Sequence, residues 1–196
     1  GAFDATSGTI NMDGTARLQL AGTVTSLGAL DESAGTVEYD GGTQDVLADA
    51  YYNLEIDESG VKTSQGTVTA AGTLTVGSGA TYAIAATSTT VTGSTDINGT
   101  LTASTGTFDA NGAFDATGGT IDFTGSGRLQ CSGTVTGFGS SLSTDNGTVE
   151  YDGTTQTIIA GTYYNLEVDG SGTKSIGADI HTEGDLIITA GTLEMA

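Results

Sequence analysis

The chain has 196 residues, 24 acids against four bases, and a net charge of −20. That balance argues against a nucleic-acid binder, which neutralises phosphates with Lys and Arg, and against attachment to an anionic membrane surface. With 32 Gly, no Pro, one Cys and 36% apolar residues, the chain is neither a disordered acidic tail nor a disulfide scaffold, and no apolar run approaches the ~20 residues of a membrane helix.

Taken in order, the chain repeats itself. Residues 1–28, GAFDATSGTINMDGTARLQLAGTVTSLG, return at 112–139 as GAFDATGGTIDFTGSGRLQCSGTVTGFG, with 18 of 28 positions identical. Residues 35–57, GTVEYDGGTQDVLADAYYNLEID, return at 147–169 as GTVEYDGTTQTIIAGTYYNLEVD, with 16 of 23 identical. The offset grows from 111 to 112, so one residue is added in the polar loop 140–147. Such indels belong in loops between strands. Beyond this point Lys62 corresponds to Lys174, Val68 to Ile180, Gly72 to Gly184 and Leu74 to Leu186. GDLIITAGTLEMA (184–196) then matches GTLTASTGTFDAN (99–111). The internal repeats are therefore 1–111 and 112–196, and the first carries an extra segment of 27 residues at about 72–98, the length expected of one turn.

Runs rich in Thr, Val, Ile and Tyr alternate with Gly, Ser, Asp and Asn, and no window carries helical periodicity. Because side chains alternate along a strand, Leu18 and Leu20, Val37 and Tyr39, and Tyr52, Leu54 and Ile56 are predicted to face inward. Tyr51, Asn53, Glu55 and Asp57 are predicted to face outward. A repeat that tolerates an inserted segment suits a solenoid, which gains length without rewiring. A β-sandwich would need new edge pairing. The prediction is one all-β segment over 1–196, a right-handed parallel β-helix of about eight or nine turns and on the order of 40 Å long.

The four bases fall into repeat pairs, Arg17 with Arg128 and Lys62 with Lys174. Each is predicted to pair with a carboxylate in an adjacent turn. The acid pairs Glu38/Asp40, Glu55/Asp57, Glu150/Asp152 and Glu167/Asp169 are predicted to form a solvated outward stripe. Asp40, Asp57, Asp152 and Asp169 are its candidate calcium ligands, although the spacing misses that of an EF-hand. No other cofactor is expected. His181 is placed outward with no nucleophile beside it, and Cys131 inward with Leu129, so no catalytic residue is assigned and the chain is not read as an enzyme. Outward Tyr51 and Tyr163 are the predicted lateral contacts, since exposed aromatics are enriched at interfaces. The triplets TVT (23–25, 67–69, 134–136) and TLT (73–75, 100–102) are scattered rather than aligned, which speaks against a threonine ladder for ice.

TLEMA (192–196) matches TFDAN (107–111), which is followed by Gly112, the equivalent of Gly1. Neither end shows a polar cap. The predicted assembly ends are Phe3 and Ile10 on one side, Leu193 and Met195 on the other. The predicted partner is the chain itself, as a head-to-tail homopolymer or as tandem repeats of a longer chain.

The stretch GTTQTIIAGTYYNLEVDGSGTKSIGADIHTEGDLIITAGTLEM (153–195) joins a G-x-Q-x-I-x-G turn to a Y-N-L-x-I/V strand, then G-S-G-T-K and G-x-L-x-I-x-x-G-T-L turns. It resembles the β-solenoid repeats of large secreted bacterial surface proteins, the stalks of adhesins and filamentous-haemagglutinin-like proteins. The resemblance implies an extracellular or cell-surface location, an assembly or adhesion role, and a glycan or other surface ligand as a further partner. A carbohydrate-binding or carbohydrate-cleaving β-helix and an ice-binding solenoid are the alternative readings.

Overall fold

The computed structural model describes residues 1–140, 142 and 145–195; Ser141, Ser143 and Thr144 of the 140–147 loop, and the terminal Ala196, lie outside the described residues. The described residues form 29 short strands and no helix. Each strand pairs in parallel with the strand about one turn away, as Leu54 with Leu74 and Leu74 with Thr95. The chain is a β-solenoid.

Three faces wrap the rod, and the chain visits them in rotation. The first is a seven-stranded sheet running from Arg17–Leu20 to Val135–Gly137. The second has five strands, from Gln44–Val46 to Thr120–Phe123, and the third has eight, from Ala50–Tyr51 to Leu186–Ile188. Small sheets of two or three strands continue the rotation at both ends. With the bridge from Leu142 to Ile121, three strands per turn give about ten turns, more than the eight or nine expected. The turns are shorter because two- to five-residue strands are joined by tight corners, which leaves register partners only 17 to 22 residues apart, as Val37 with Leu54 and Asp115 with Gly137. At ~4.8 Å per turn the rod is roughly 45–50 Å long.

Stacking in register turns the inward alternation into columns. Val68, Thr89, Phe108, Leu129, Val149 and Leu166 lie one above another on the third face, all buried. Aromatic rings continue the core across turns: Phe108 meets Phe114 at 6.2 Å, Phe114 meets Phe138 at 6.0 Å, and Phe138 meets Tyr163 edge-on at 6.0 Å. Offset and edge-on contacts are the favoured geometries for such rings.

The corner from the third face to the first is a column of glycines. A Cβ on Gly93 would lie 2.1 Å from Gly72 O, one on Gly112 2.1 Å from Gly93 O, and one on Gly133 2.1 Å from Gly112 O. No side chain fits between backbones stacked this closely. Gly112→Ala is expected to lower stability by roughly 2–4 kcal/mol in urea denaturation. Gly42→Ala, where a Cβ would meet nothing within 4 Å, is expected to shift it by less than about 0.5 kcal/mol. Equal shifts for the two variants would contradict the stacked corner.

The repeats do not superpose face on face. The first copy holds 17 strands, not a multiple of three, so each strand of the second copy ahead of the missing 72–98 segment falls one face back. Arg17–Leu20 lies on the first face and its equivalent Arg128–Cys131 on the third. The segment 72–98 carries four strands, Leu74–Val76, Ala80–Ile84, Ser88–Val91 and Thr95–Ile97, which is four-thirds of a turn rather than the single turn expected. The increment of this fold is one strand with its corner.

Candidate functional site

The strongest local departure from regular coiling falls on the motif that repeats most strictly. In the first copy Thr36–Tyr39 pairs with Arg17–Leu20 before it and Asn53–Ile56 after it, all on the first face. The other two strands of that turn, Gln44–Val46 and Ala50–Tyr51, pair only with the turn that follows. The strands preceding them, Val24–Ser26 and Ala29–Leu30, pair only backwards. Two of three ladders stop, which makes a seam. Among the described residues the second copy has the same seam. Thr148–Tyr151 is paired on both sides, whereas Gln156–Ile158 and Gly161–Tyr163 pair only onward and Val135–Gly137 only backward. Two clefts of about 220 Å³ open there, one between Val135 and Gln156, the other between Leu142 and Ile159.

Side chains replace the missing ladder. Buried Gln44 accepts from Gly41 N through Oε1 at 2.7 Å, and donates from Nε2 to Leu20 O at 2.6 Å and Gly22 O at 2.7 Å. Gln156 makes the same three bonds, to Gly153 N, Cys131 O and Gly133 O, at 2.8, 2.6 and 2.9 Å. One amide thus satisfies the Gly41 or Gly153 donor and the Gly22 or Gly133 carbonyl at the corner, and adds a second bond to the Leu20 or Cys131 carbonyl, which also accepts from Asp40 N or Asp152 N. Below it, two tyrosines close a triangle: Tyr39 and Tyr51 meet hydroxyl to hydroxyl at 3.1 Å, Tyr51 donates to Leu47 O at 2.9 Å, and Leu47 N donates to Tyr39 at 3.3 Å. Tyr151, Tyr163 and Ile159 repeat it.

This arrangement corrects the assignment of Tyr51 and Tyr163 as lateral contacts. Both are fully buried, while Tyr52 is 40% exposed. The chain bends at Tyr52, between Ala50–Tyr51 and Asn53–Ile56, so alternation restarts and adjacent tyrosines take opposite sides of the wall. Asn53, next along, staples the corner across three turns: Nδ2 donates to Gly35 O at 3.0 Å, and Oδ1 accepts from Thr73 N at 2.8 Å.

The bases divide into two kinds. Arg17 reaches along the uninterrupted ladder to Glu38 at 2.8 Å and Glu55 at 2.6 Å, on the next two turns. Arg128 reaches Glu150 and Glu167 in the same way. These pairs are as expected, but the stripe is not simply solvated. Glu38 and Glu150 are each 4% exposed, walled in by their neighbours. Burial raises the Glu55 carboxyl above its ordinary range, against the pull of Arg17. Hydrogen bonds to Glu38 lead the causes that raise the Arg17 guanidinium.

Lys62 and Lys174 depart from expectation. Neither pairs with a carboxylate; both are fully buried and cap backbone carbonyls. Lys62 Nζ donates to Asp57 O and, at 2.6 Å, to Glu58 O. Lys174 Nζ donates to Asp169 O and, at 3.3 Å, to Ser171 O. The corner turns its carbonyls inward through left-handed residues, Glu58 at φ 55° and, at the corresponding position, Gly170 at φ 69°. Burial pulls both ammonium groups below the ordinary lysine range.

Of the candidate calcium ligands, Asp57 gathers with Glu38 and Glu55, and Asp169 with Glu150 and Glu167, each trio placing carboxylate oxygens within 4.8 Å. The arginines already bind two members of each trio. Asp40 and Asp152 stand outside both. Ser132 Oγ donates to Asp152 at 2.7 Å; Ala21 occupies the equivalent place in the first copy, and Asp40 Oδ1 is left buried without a partner.

No family model, curated protein or solved structure matches this chain. Its own residues are therefore the whole basis for a functional reading. His181 is exposed, and the Cys131 thiol is sealed in the core, its pKa pushed up by burial. Thr69, Thr75 and Thr102 fall on three different faces, so the TVT and TLT triplets that contain them share no flat surface. No helix of the described residues is long and apolar enough to cross a membrane. The glutamine clamps and lysine caps were missed in the sequence. The repeat pairing of Gln44 with Gln156, each three residues after a glycine in an otherwise polar turn, was the available signal.

Proposed function

We propose that the chain is a structural rod segment of an extracellular filament or adhesin stalk, built to continue axially through its end turns. The observation that carries this reading is the last turn. Leu186 and Ile188 continue the inward columns of Leu166 and Val168, yet both are exposed. Leu193 and Met195 follow Lys174 and Ile176 in the same way, and Met195 is 74% exposed. A cleft of about 390 Å³ opens beside it, lined by Ile176, Ile180 and Met195. At the other end Phe3 and Ile10 pair with Val24 and Leu30 and are only half-buried. Unpaired strand edges over exposed core side chains are templates for another turn. A second copy or further chain of the same pattern supplies it, in a heterologous contact that does not close. The acidic surface keeps such rods apart in solution.

Electron microscopy of the purified chain at increasing concentration is expected to show end-to-end rods in multiples of roughly 45–50 Å. Leu186→Glu with Ile188→Glu is expected to abolish them without changing the β-type circular dichroism. Single particles at every concentration, with the wild-type end, would overturn self-assembly of separate chains. A fused tandem that failed to double in length would overturn continuation within one chain.

A further inference from the structure

The rod is not equally strong along its length, and its two weakest places are built the same way. At residues 20–51 only the first-face ladder crosses from one turn to the next, and among the described residues of 131–163 only the third-face ladder does. Between them, from Gln44–Val46 to Thr120–Phe123, all three faces are continuous. Opening the rod across a regular turn breaks backbone bonds on three faces together. Opening it at a seam breaks one ladder, the two amide bonds of Gln44 or Gln156 and the Arg17 or Arg128 bridges, with the Gln130–Glu150 and Ser132–Asp152 bonds and the Phe138–Tyr163 ring contact added at the second seam.

The seam is also protected from fraying on its own account. The tyrosine triangle anchors the residue 47 corner from within one turn, and Lys62 holds the corner above it. The turns beyond the seam are therefore held from within, and what joins them to the turn before is a single backbone ladder and a few side-chain bonds. We propose that the two seams are built-in yield points, at which an axial load separates the rod into intact blocks while the rest of the coil holds. This deepens the reading of the chain as a load-bearing rod and rests on it for its purpose, but not for its mechanics.

The test is single-molecule pulling on the full chain in a Cys131→Ala background, with handles on paired exposed cysteines. Asp13→Cys with Ser59→Cys spans the first seam. Ser78→Cys with Thr124→Cys spans the same length of chain inside the continuous block. At constant force the seam pair is expected to yield at least about tenfold more often than the block pair. Gln44→Ala is expected to raise the yield rate of the seam pair further and leave the block pair unchanged. Equal rates for the two pairs, or a Gln44→Ala effect of the same size on both, would overturn the proposal. The measurement is made on isolated molecules and needs no assembly. Filaments with equal yield rates remove the yield points alone, and unequal rates without filaments remove the rod's assembly alone.

Discussion

Above about pH 10 the protein is expected to unfold over a narrow pH range. Five of its tyrosines, Tyr39, Tyr51, Tyr82, Tyr151 and Tyr163, are buried without solvent contact. Burial is the leading cause that raises the pKa of each, Tyr163 to about 12 and the others upward as well. Burial raises the Cys131 thiol too. An acid whose folded pKa lies above its unfolded value binds its proton more tightly when folded. Its contribution is fully present below the unfolded pKa, ~10 for Tyr and ~8.5 for Cys, and is lost as pH rises beyond it. Each group costs about 1.4 kcal/mol per pH unit in that window. Tyr51, Tyr82, Tyr151, Tyr163 and Cys131 together remove roughly 9 kcal/mol by pH 11, comparable to the whole stability of an ordinary domain, and Tyr39 acts in the same direction. Lys62 and Lys174 act in the opposite sense, since a base with a lowered folded pKa gains stability as pH rises. That gain ends near ~10.4, where unfolded lysine loses its own proton. Phenolate absorbance should therefore appear together with loss of the β-type circular dichroism. Gradual ionisation of all seven tyrosines in a chain that stays folded would contradict the buried hydroxyl network.

The second large effect is expected from a residue that sequence reasoning paired with a carboxylate. Lys62→Met keeps most of the apolar stem but leaves the carbonyls of Asp57 and Glu58 without their donor. A buried polar group stripped of its partner costs about 1–3 kcal/mol, so a loss of roughly 2–5 kcal/mol is expected in urea denaturation. Lys174→Met should cost a similar amount by exposing Asp169 O and Ser171 O to the same deficit. The two sites lie nearly six turns apart, roughly 27 Å by ladder spacing, so their effects should add. A cost below about 0.5 kcal/mol in either variant would mean that water reaches these carbonyls freely.

Much of the architecture could be read from alternation and repetition. Val37, Tyr39, Leu54 and Ile56 face the core as their spacing says, and Cys131 takes the buried place of Leu20. The arginine bridges to neighbouring turns were legible because each base recurs with the same carboxylates in both copies. Three things were not. The corner at Tyr52 was hidden, because a one-residue bend leaves no glycine or proline to mark it and simply resets the period. The lysines were hidden because their partners are backbone carbonyls, which no side-chain pattern reports. The turn length was hidden because the visible repeat spans several turns and is not a whole number of them.

That last mismatch has a consequence for flexure. The spine that survives the first seam runs along the first face, and the spine that survives the second runs along the third. Joints that all kept the same side intact would let the molecule fold in one plane, like a carpenter's rule. Joints clocked a third of a revolution apart give compliance in more than one direction. Ten whole turns return the chain to its starting face, so copies joined end to end would repeat the same two clock positions, and such an object bends as a universal joint does, about two hinges rather than one.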